Sequence, residues 1–193
     1  MVRLLSFLLL LCLPGCPPVQ AQKYNGRLGA APAGFAWQPL PDGKAAALLP
    51  TGWHFRAEGE KGAPTYYLTQ EEMGESGEFQ TGLSVQVVRR ATARTRRPAP
   101  AYAELLMLRT GFGKEQQQLE KSSAVEGVFR KWTVCYRDAP PGAVPRVVYQ
   151  MALANAKTDT LYLLTFESPE PDWADAWKLG EVMVRELVLD GRQ

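Results

Sequence analysis

The sequence predicts an α+β domain, in which an antiparallel β-sheet is covered by a mid-chain helix and a long C-terminal helix. Three observations indicate this class. Short apolar segments separated by turn residues fill the first half of the chain, longer alternating segments fill the second half, and two stretches have helical spacing. With 46% hydrophobic residues, the 193-residue chain can build one ordinary hydrophobic core.

The first half of the chain is predicted to form a series of short strands. Pro41-Asp42-Gly43 has the residue types of a tight turn, and a charged loop is expected at residues 58–64. Residues 71–78, which are rich in glutamate and glycine, are typical of a solvated hairpin tip. The predicted strands are residues 35–40, 45–49, 53–57, 65–69 and 82–90.

Two helices are predicted from apolar residues that recur at i, i+3 and i+4. The first covers residues 99–112, and the residues at this spacing are Tyr102, Leu105, Leu106, Arg109 and Phe112. The second opens at Pro171-Asp172. Its continuous stripe consists of Trp173, Ala176, Trp177, Gly180, Val184 and Leu187.

Three longer strands are predicted between these helices, at residues 128–137, 146–155 and 160–168. The first two alternate apolar and polar residues, as half-buried strands do. The third is apolar on both faces, so we expect it at the centre of the sheet with a cover on each side.

Residues 1–21 have the build of a secretory signal, with Arg3 before an apolar run that is too short to span a membrane. Two alternative cleavage sites fit this sequence. Leu13-Pro14-Gly15-Cys16 resembles the bacterial lipobox, in which the cysteine is acylated, and Val19-Gln20-Ala21 fits ordinary cleavage. We favour acylation of Cys16, because the apolar run leads straight into it. The predicted organisation is a signal at 1–21, a flexible tether at 22–34 and one domain at 35–193.

The cysteines and the absence of glycosylation sequons favour the bacterial periplasm or outer membrane, with a secreted protein as the second choice. Cys12 leaves with the signal and Cys16 is acylated or lost, so Cys135 remains alone and no intrachain disulfide can form. Neither asparagine begins an Asn-x-Ser/Thr sequence.

The candidate partner-binding residues are five arginines within nine positions: Arg89, Arg90, Arg94, Arg96 and Arg97. They join a predicted strand to a predicted helix, and the rest of the exported chain is net negative. Arginine binds phosphate and carboxylate bidentately, so the expected partner is an anionic lipid, an envelope glycan or an envelope protein. The alternative is a solvated basic loop, with or without pairing to the 71–78 glutamates. Nucleic acid is not expected, because no aromatic residues are interleaved among these arginines.

No cofactor, metal or catalytic residue is predicted. His54 is the only histidine, and the common metal-binding and thiol motifs are absent. Two alternatives to a binding protein stay open. One is a small thiol- or histidine-dependent enzyme that uses Cys135 or His54, since Cys135 shares a predicted strand face with Lys131 and Arg137. The other is a periplasmic carrier of small ligands, which would need an apolar cavity between sheet and helices.

Several short segments occur in an order that resembles the PsbP-like/Mog-like fold family over about residues 35–190. They are Pro50-Thr51-Gly52-Trp53, Gly82-Leu83-Ser84-Val85 and the late strand Leu161-Tyr162-Leu163-Leu164-Thr165-Phe166. The resemblance implies an α/β/α sandwich and a non-catalytic role in binding or assembly, as in photosystem II subunits, a Ran regulator and bacterial envelope lipoproteins. It transfers no catalytic residue. The expectation is therefore a non-enzymatic exported envelope protein.

Overall fold

The structure, a computed structural model, describes residues 22–24, 28–41, 45–75 and 77–190. Its strands are β1 (Gln22–Tyr24), β2 (Phe35–Leu40), β3 (Ala45–Pro50), β4 (His54–Glu60), β5 (Ala63–Thr69), β6 (Gly82–Arg89), β7 (Gln116–Glu126), β8 (Phe129–Asp138), β9 (Arg146–Asn155), β10 (Thr160–Pro169) and β11 (Val188–Asp190). Its helices are α1 (Ala91–Thr95), α2 (Ala99–Arg109) and α3 (Trp173–Arg185), the last preceded by a 3-10 turn at Glu170–Asp172.

Seven strands form one antiparallel sheet in the order β4-β5-β6-β10-β9-β8-β7. The strand β10 lies at its centre, as the apolar residues on both of its faces predicted. Tyr162, Leu164 and Phe166 are buried on one face, and Leu161 is buried on the other. The α+β class and the α/β/α sandwich are both confirmed.

One face of this sheet is covered by α3 together with a small sheet of order β1-β11-β3-β2. The predicted apolar stripe of α3 faces the core, where Val184 is fully buried and Trp177 is partly buried. Gly180 lets the helix approach closely, since a Cβ atom there would lie 2.7 Å from ring carbons of Phe166.

The other face of the sheet is covered by α2, with α1 beside it. The buried helix residues are small or flexible, namely Ala99, Ala103 and Met107, so α2 lies close to the sheet. The helix ends at Arg109, three residues earlier than predicted. Phe112, assigned from its spacing to the buried stripe, is 66% exposed.

The strand β7 was not predicted. Its sequence is polar, and most of its side chains are exposed because neither face of this edge strand is fully covered. Pairing with β8 rather than burial holds it in place. The predicted charged loop at 58–64 is also wrong, because β4 and β5 form a hairpin whose turn is only Lys61 and Gly62.

Within the predicted tether, Gln22–Tyr24 pairs in parallel with Val188–Asp190. The predicted signal with Cys16, and Asp42-Gly43 of the predicted turn, lie outside the described residues. None of the helices that the structure describes has the length and apolar character needed to cross a membrane.

Candidate functional site

The five arginines lie on the connection between β6 and α2, which contains the short helix α1, and Arg90, Arg96 and Arg97 lie on the linking residues beside that helix. Arg89 ends β6, and the next residues form α1. Arg90 and Arg96 flank α1 in the left-handed region, with φ of 50° and 59°. Residues with side chains rarely adopt this conformation, so the surrounding contacts must hold them there.

The N–H of Arg96 donates to the Thr92 carbonyl at 2.9 Å, and Asp159, in the turn between β9 and β10, holds the residues that follow Arg90. Its Oδ2 accepts a hydrogen bond from the backbone N–H of Thr92 at 2.8 Å, and its Oδ1 accepts one from the N–H of Ala99 at 3.0 Å. Its carbonyl oxygen accepts a hydrogen bond from the backbone N–H of Ala91 at 2.9 Å. One carboxylate therefore caps α1 and α2 together and fixes the arginine segment to the sheet.

Arg94 differs from the other arginines because it is bonded within the fold. Its Nη1 donates to Glu60 Oε1 at 2.6 Å, and its Nη2 donates to the Lys61 carbonyl at 2.7 Å. Both acceptors belong to the β4–β5 hairpin. These bonds join α1 to the neighbouring turn, and the Arg94 guanidinium is occupied by acceptors within the fold.

Arg90, Arg96 and Arg97 are exposed, and among the described residues none of them forms an ion pair. Arg89 is half-buried. The 71–78 glutamates precede β6 and the arginines follow it, so the two groups are about 23 Å apart along the strand. That distance exceeds the screening length of about 8 Å at physiological salt. These glutamates therefore do not neutralise the arginines, and the alternative of a solvated basic loop stands without that pairing.

The two ends of the main sheet carry opposite charge. The end that holds α1 has these cationic residues: Lys61, Arg89, Arg90, Arg94, Arg96, Arg97, Arg130 and Lys157. The carboxylates at this end are fewer, namely Glu58, Glu60, Glu126 and Asp159, so the end is net positive. The opposite end has these carboxylates: Glu71, Glu72, Glu75, Glu78, Glu115, Asp138, Glu167, Glu170 and Asp172. Charge segregated in this way creates a field that steers charged partners to one end.

Two arginines at the acidic end are held by carboxylates. Arg137 Nε donates to both carboxylate oxygens of Glu170, at 2.8 and 2.9 Å, and this bond lowers the pKa of Glu170 below its usual value. Arg146 Nη1 donates to Glu167 at 3.0 Å, beside a cleft of about 620 Å³ that Glu71 and Glu78 also line. Arg137 and Arg146 therefore differ from Arg96, because each of them already pairs with a carboxylate.

Cys135 and His54 do not share a site. Cys135 is 3% exposed and lies in β8, whereas His54 is exposed at the start of β4, five strand spacings away. That places them about 24 Å apart. The cations predicted beside Cys135 are paired with carboxylates and not with the thiol. Lys131 pairs with Glu126, and Arg137 pairs with Glu170. The geometry does not support the enzyme that uses these two residues.

The clefts that the described residues line open at the surface, and this includes a cleft between a helix and the main sheet. One, of about 380 Å³, lies between α2 and β7 and is lined by Met107, Leu108 and Trp132. Within the part of the chain that the structure describes, no group of three His, Cys, Asp or Glu side chains could hold a metal ion.

Asp159 was missed by the sequence analysis. It is an isolated aspartate in a short turn, 67 and 60 residues away along the chain from the two N–H groups that it caps. No local pattern connects such positions. The only sequence signal is that aspartate tolerates the positive φ, here 48°, that this turn requires.

By sequence, the chain matches no protein-family model and no curated protein. Its structure is similar to that of the cyanobacterial PsbP protein (CyanoP) of Synechocystis sp. PCC 6803. The TM-score is 0.54 at 16% identity, over 86% of this chain and 98% of that chain.

Two further solved structures are similar. LpqN of Mycobacterium tuberculosis, described as involved in cell envelope biogenesis, gives a TM-score of 0.51 at 10% identity, over 81% of this chain and 91% of that one. A point mutant of the protein Mog1 gives a TM-score of 0.50 at 18% identity, over 81% of this chain and 97% of that chain. The chain therefore has the PsbP/Mog-like fold that its sequence resembled.

Proposed function

We propose that this chain is a non-enzymatic, exported domain that binds an anionic partner in the bacterial cell envelope through Arg90, Arg96 and Arg97. The observation that carries the proposal is that these three guanidinium groups are exposed and without an ion-pair partner among the described residues. Arg94 has a positioning role, since it ties the segment to Glu60 and Lys61.

The fixed backbone of the arginine segment favours binding. Because Asp159 caps both helices, the three guanidinium groups project from a framework that is ordered before a partner arrives. Less conformational entropy is then lost on binding than from a flexible basic loop. Phosphate groups of lipids, acidic envelope glycans and carboxylates of a protein each fit the bidentate chemistry of arginine.

The envelope setting rests on the N-terminal sequence, which has the build of an export signal. The fold is compatible with that setting, since LpqN, which shares it, is described as involved in cell envelope biogenesis. A protein partner in the envelope and an anionic lipid or glycan surface are both compatible with the arginine surface.

The test is binding of the purified protein to vesicles that contain phosphatidylglycerol and to isolated peptidoglycan. The triple variant Arg90→Ser, Arg96→Ser, Arg97→Ser is compared with a charge-matched variant, Arg109→Ser, Lys114→Ser, Lys178→Ser, whose residues are exposed elsewhere. We expect the first variant to lose binding at low salt and the second to keep most of it. Wild-type binding weakens as the screening length falls from about 10 Å at 0.1 M to about 3 Å at 1 M salt. If the arginine variant binds both surfaces as the wild type does, the proposed site is wrong.

We also propose that acylated Cys16 anchors the domain to a membrane. The mass of the mature protein should then correspond to a start at a lipid-modified Cys16, and Cys16→Ala should move the protein from the membrane fraction to the supernatant. A mature protein that begins at Gln22 would contradict acylation and leave export intact. Retention of Met1 would contradict export itself.

A further inference from the structure

Five exposed cations at the end of the main sheet that holds α1 form no ion pair within the part of the chain that the structure describes. They are Lys61, Arg90, Arg96, Arg97 and Lys157, and we call them the cationic surface. Lys61 lies in the β4–β5 turn and Lys157 in the β9–β10 turn, whereas the three arginines lie in the connection between β6 and α2. Three separate connections of the chain therefore supply the charge.

The carboxylates at the same end are already used by the fold. The pairs are Glu58 with Arg56, Glu60 with Arg94, Glu126 with Lys131, and Asp159 with the N–H groups of Thr92 and Ala99. The cationic surface thus has no counter-charge of its own among the described residues. Uncompensated charge of one sign favours a partner of the opposite sign.

The cationic surface is broad and lies at one level of the sheet. The β4–β5 and β9–β10 turns are three strand spacings apart, so the backbones of Lys61 and Lys157 are separated by about 14 Å. The N–H of Arg89 donates to the Gly62 carbonyl at 3.0 Å, and Arg89 is also level with the start of β10. Lys61, Arg90 and Lys157 therefore lie within about two residues of a common level.

No concave site of the described residues includes this surface. A compact anion is bound where donors converge on its oxygens at about 3 Å, usually in a cleft. The clefts of about 180 to 620 Å³ lie elsewhere, since none of the five cations lines one of them. The exposed large apolar side chains also lie outside the three connections, and they are Leu108, Phe112, Leu119, Val125 and Val144.

We propose that the cationic surface binds the plane of an anionic lipid bilayer, and that the main sheet stands on its end against that plane. This inference rests on the proposed function, because it names the partner of the same arginines and adds Lys61 and Lys157 to their site. Clusters of four to eight lysines and arginines are typical of surfaces that bind anionic lipids.

The fixed positions of the cations favour a fluid partner. Asp159 and Arg94 hold the arginine connection to the two neighbouring turns, so the charges project from backbone that is already ordered. In a bilayer, mobile head groups can move to each cation. A glycan or a protein presents its anions at fixed spacings, which would have to match cations from three separate connections.

The acidic end of the sheet determines the orientation. It lies about 34 Å from the cationic surface, which is the length of the ten-residue strand β9. This distance is well beyond the screening length of about 8 Å at physiological salt, so the bilayer attracts the near end without repelling the far end. A bilayer that approached the acidic end would instead repel its carboxylates. The strands therefore point away from the membrane.

The test uses the full chain with Cys12→Ala and Cys16→Ala, so that no acyl chain contributes to binding. It should bind vesicles that contain phosphatidylglycerol and not vesicles of phosphatidylcholine alone. Lys61→Ser, Lys157→Ser should weaken this binding about 25-fold, which is about fivefold for each cation. Because no large apolar side chain is available to insert, about 1 M salt, where the screening length is about 3 Å, should release the protein.

The matched control is Lys114→Ser, Lys178→Ser, which removes the same charge at exposed positions elsewhere and should bind as the parent chain does. Energy transfer to labelled lipid tests the orientation. A fluorophore on Ala156→Cys, in the β9–β10 turn, should transfer strongly, and one on Ala143→Cys, at the acidic end, should transfer weakly. Cys135 is buried and does not compete for the label. Equal transfer from the two positions would overturn the proposal, as would equal binding to phosphatidylcholine alone.

The outcomes separate this inference from the proposed function. If Arg90→Ser, Arg96→Ser, Arg97→Ser loses vesicle binding while Lys61→Ser, Lys157→Ser keeps it, the arginines bind a compact anion, so the bilayer plane is wrong and the proposed function stands. If the parent chain binds isolated peptidoglycan through the arginines and does not bind the anionic vesicles at low salt, the lipid partner is wrong and the proposed function again stands. An arginine variant that binds both surfaces as the parent chain does would contradict both.

Discussion

The carboxylate of Asp159 accepts the N–H of Ala99 at 3.0 Å, and this bond joins the β9–β10 turn to the first turn of α2. The other oxygen of the same group caps α1 through Thr92. Neither helix has a side-chain cap at its own N-cap residue. Asp159 thus decides where the arginine segment lies on the sheet.

Asp159→Ala should therefore lower the free energy of unfolding more than the loss of a single cap does. One cap contributes about 0.5–2 kcal/mol, and alanine also fits the positive φ at this position poorly. Asp159→Asn should cost less, since asparagine tolerates that conformation and keeps one acceptor oxygen. Denaturant unfolding of the two variants measures the difference. Equal stability of the alanine variant and the wild type would contradict the capping role.

Gly180→Ala should destabilise the domain although alanine is the better helix former. The added Cβ would lie 2.7 Å from ring carbons of Phe166, which is fully buried and cannot move aside. Overpacking costs about 1–3 kcal/mol, whereas the gain in helix propensity is about 1 kcal/mol. Thermal unfolding of Gly180→Ala, Phe166→Leu and the double variant tests this. The double variant should be more stable than the sum of the two single effects predicts; strict additivity would argue against the contact.

Trp177→Ala should remove much of the stability of the domain. The Trp177 ring lies 4.7 Å from that of Tyr149 and 5.1 Å from that of Trp173, measured between ring centres. Truncation of a packed aromatic residue costs about 3–5 kcal/mol. Trp177→Phe should cost less, because Trp177 Nε1 is buried without a hydrogen-bond partner among the described residues. Phe112→Ala is the control, and it should change the unfolding free energy by less than about 1 kcal/mol because that ring is exposed.

Tyr136 should make the stability of the domain fall at high pH. Burial, with smaller contributions from Asp138 and Glu167, raises the pKa of Tyr136 to about 12. Between the usual value of about 10 and this pKa, the unfolded chain releases a proton that the folded chain keeps, so the folded state loses stability as pH rises. Tyr136→Phe should flatten the decline between pH 10 and about 12. Unfolding measured across that range, with absorbance following tyrosine ionisation, checks the prediction; an unchanged slope would contradict it.

The sequence was sufficient for the fold class because its longest patterned segments are also the most buried. The strand β10 is apolar on both faces, and that pattern alone placed it at the centre of the sheet. The stripe on α3 likewise named Trp173, Trp177 and Gly180 as residues that face the core. In both elements burial produces the apolar periodicity from which the position was predicted.

Tertiary contacts determine the structure of those elements whose sequences have no apolar periodicity. The strand β7 exists because β8 supplies its hydrogen bonds, and its polar residues give no alternating signal. The arginines could be counted from the sequence, but only the fold shows that Arg94 is bonded to Glu60 and that Asp159 caps both helices. These contacts join residues distant along the chain, and no local pattern encodes them.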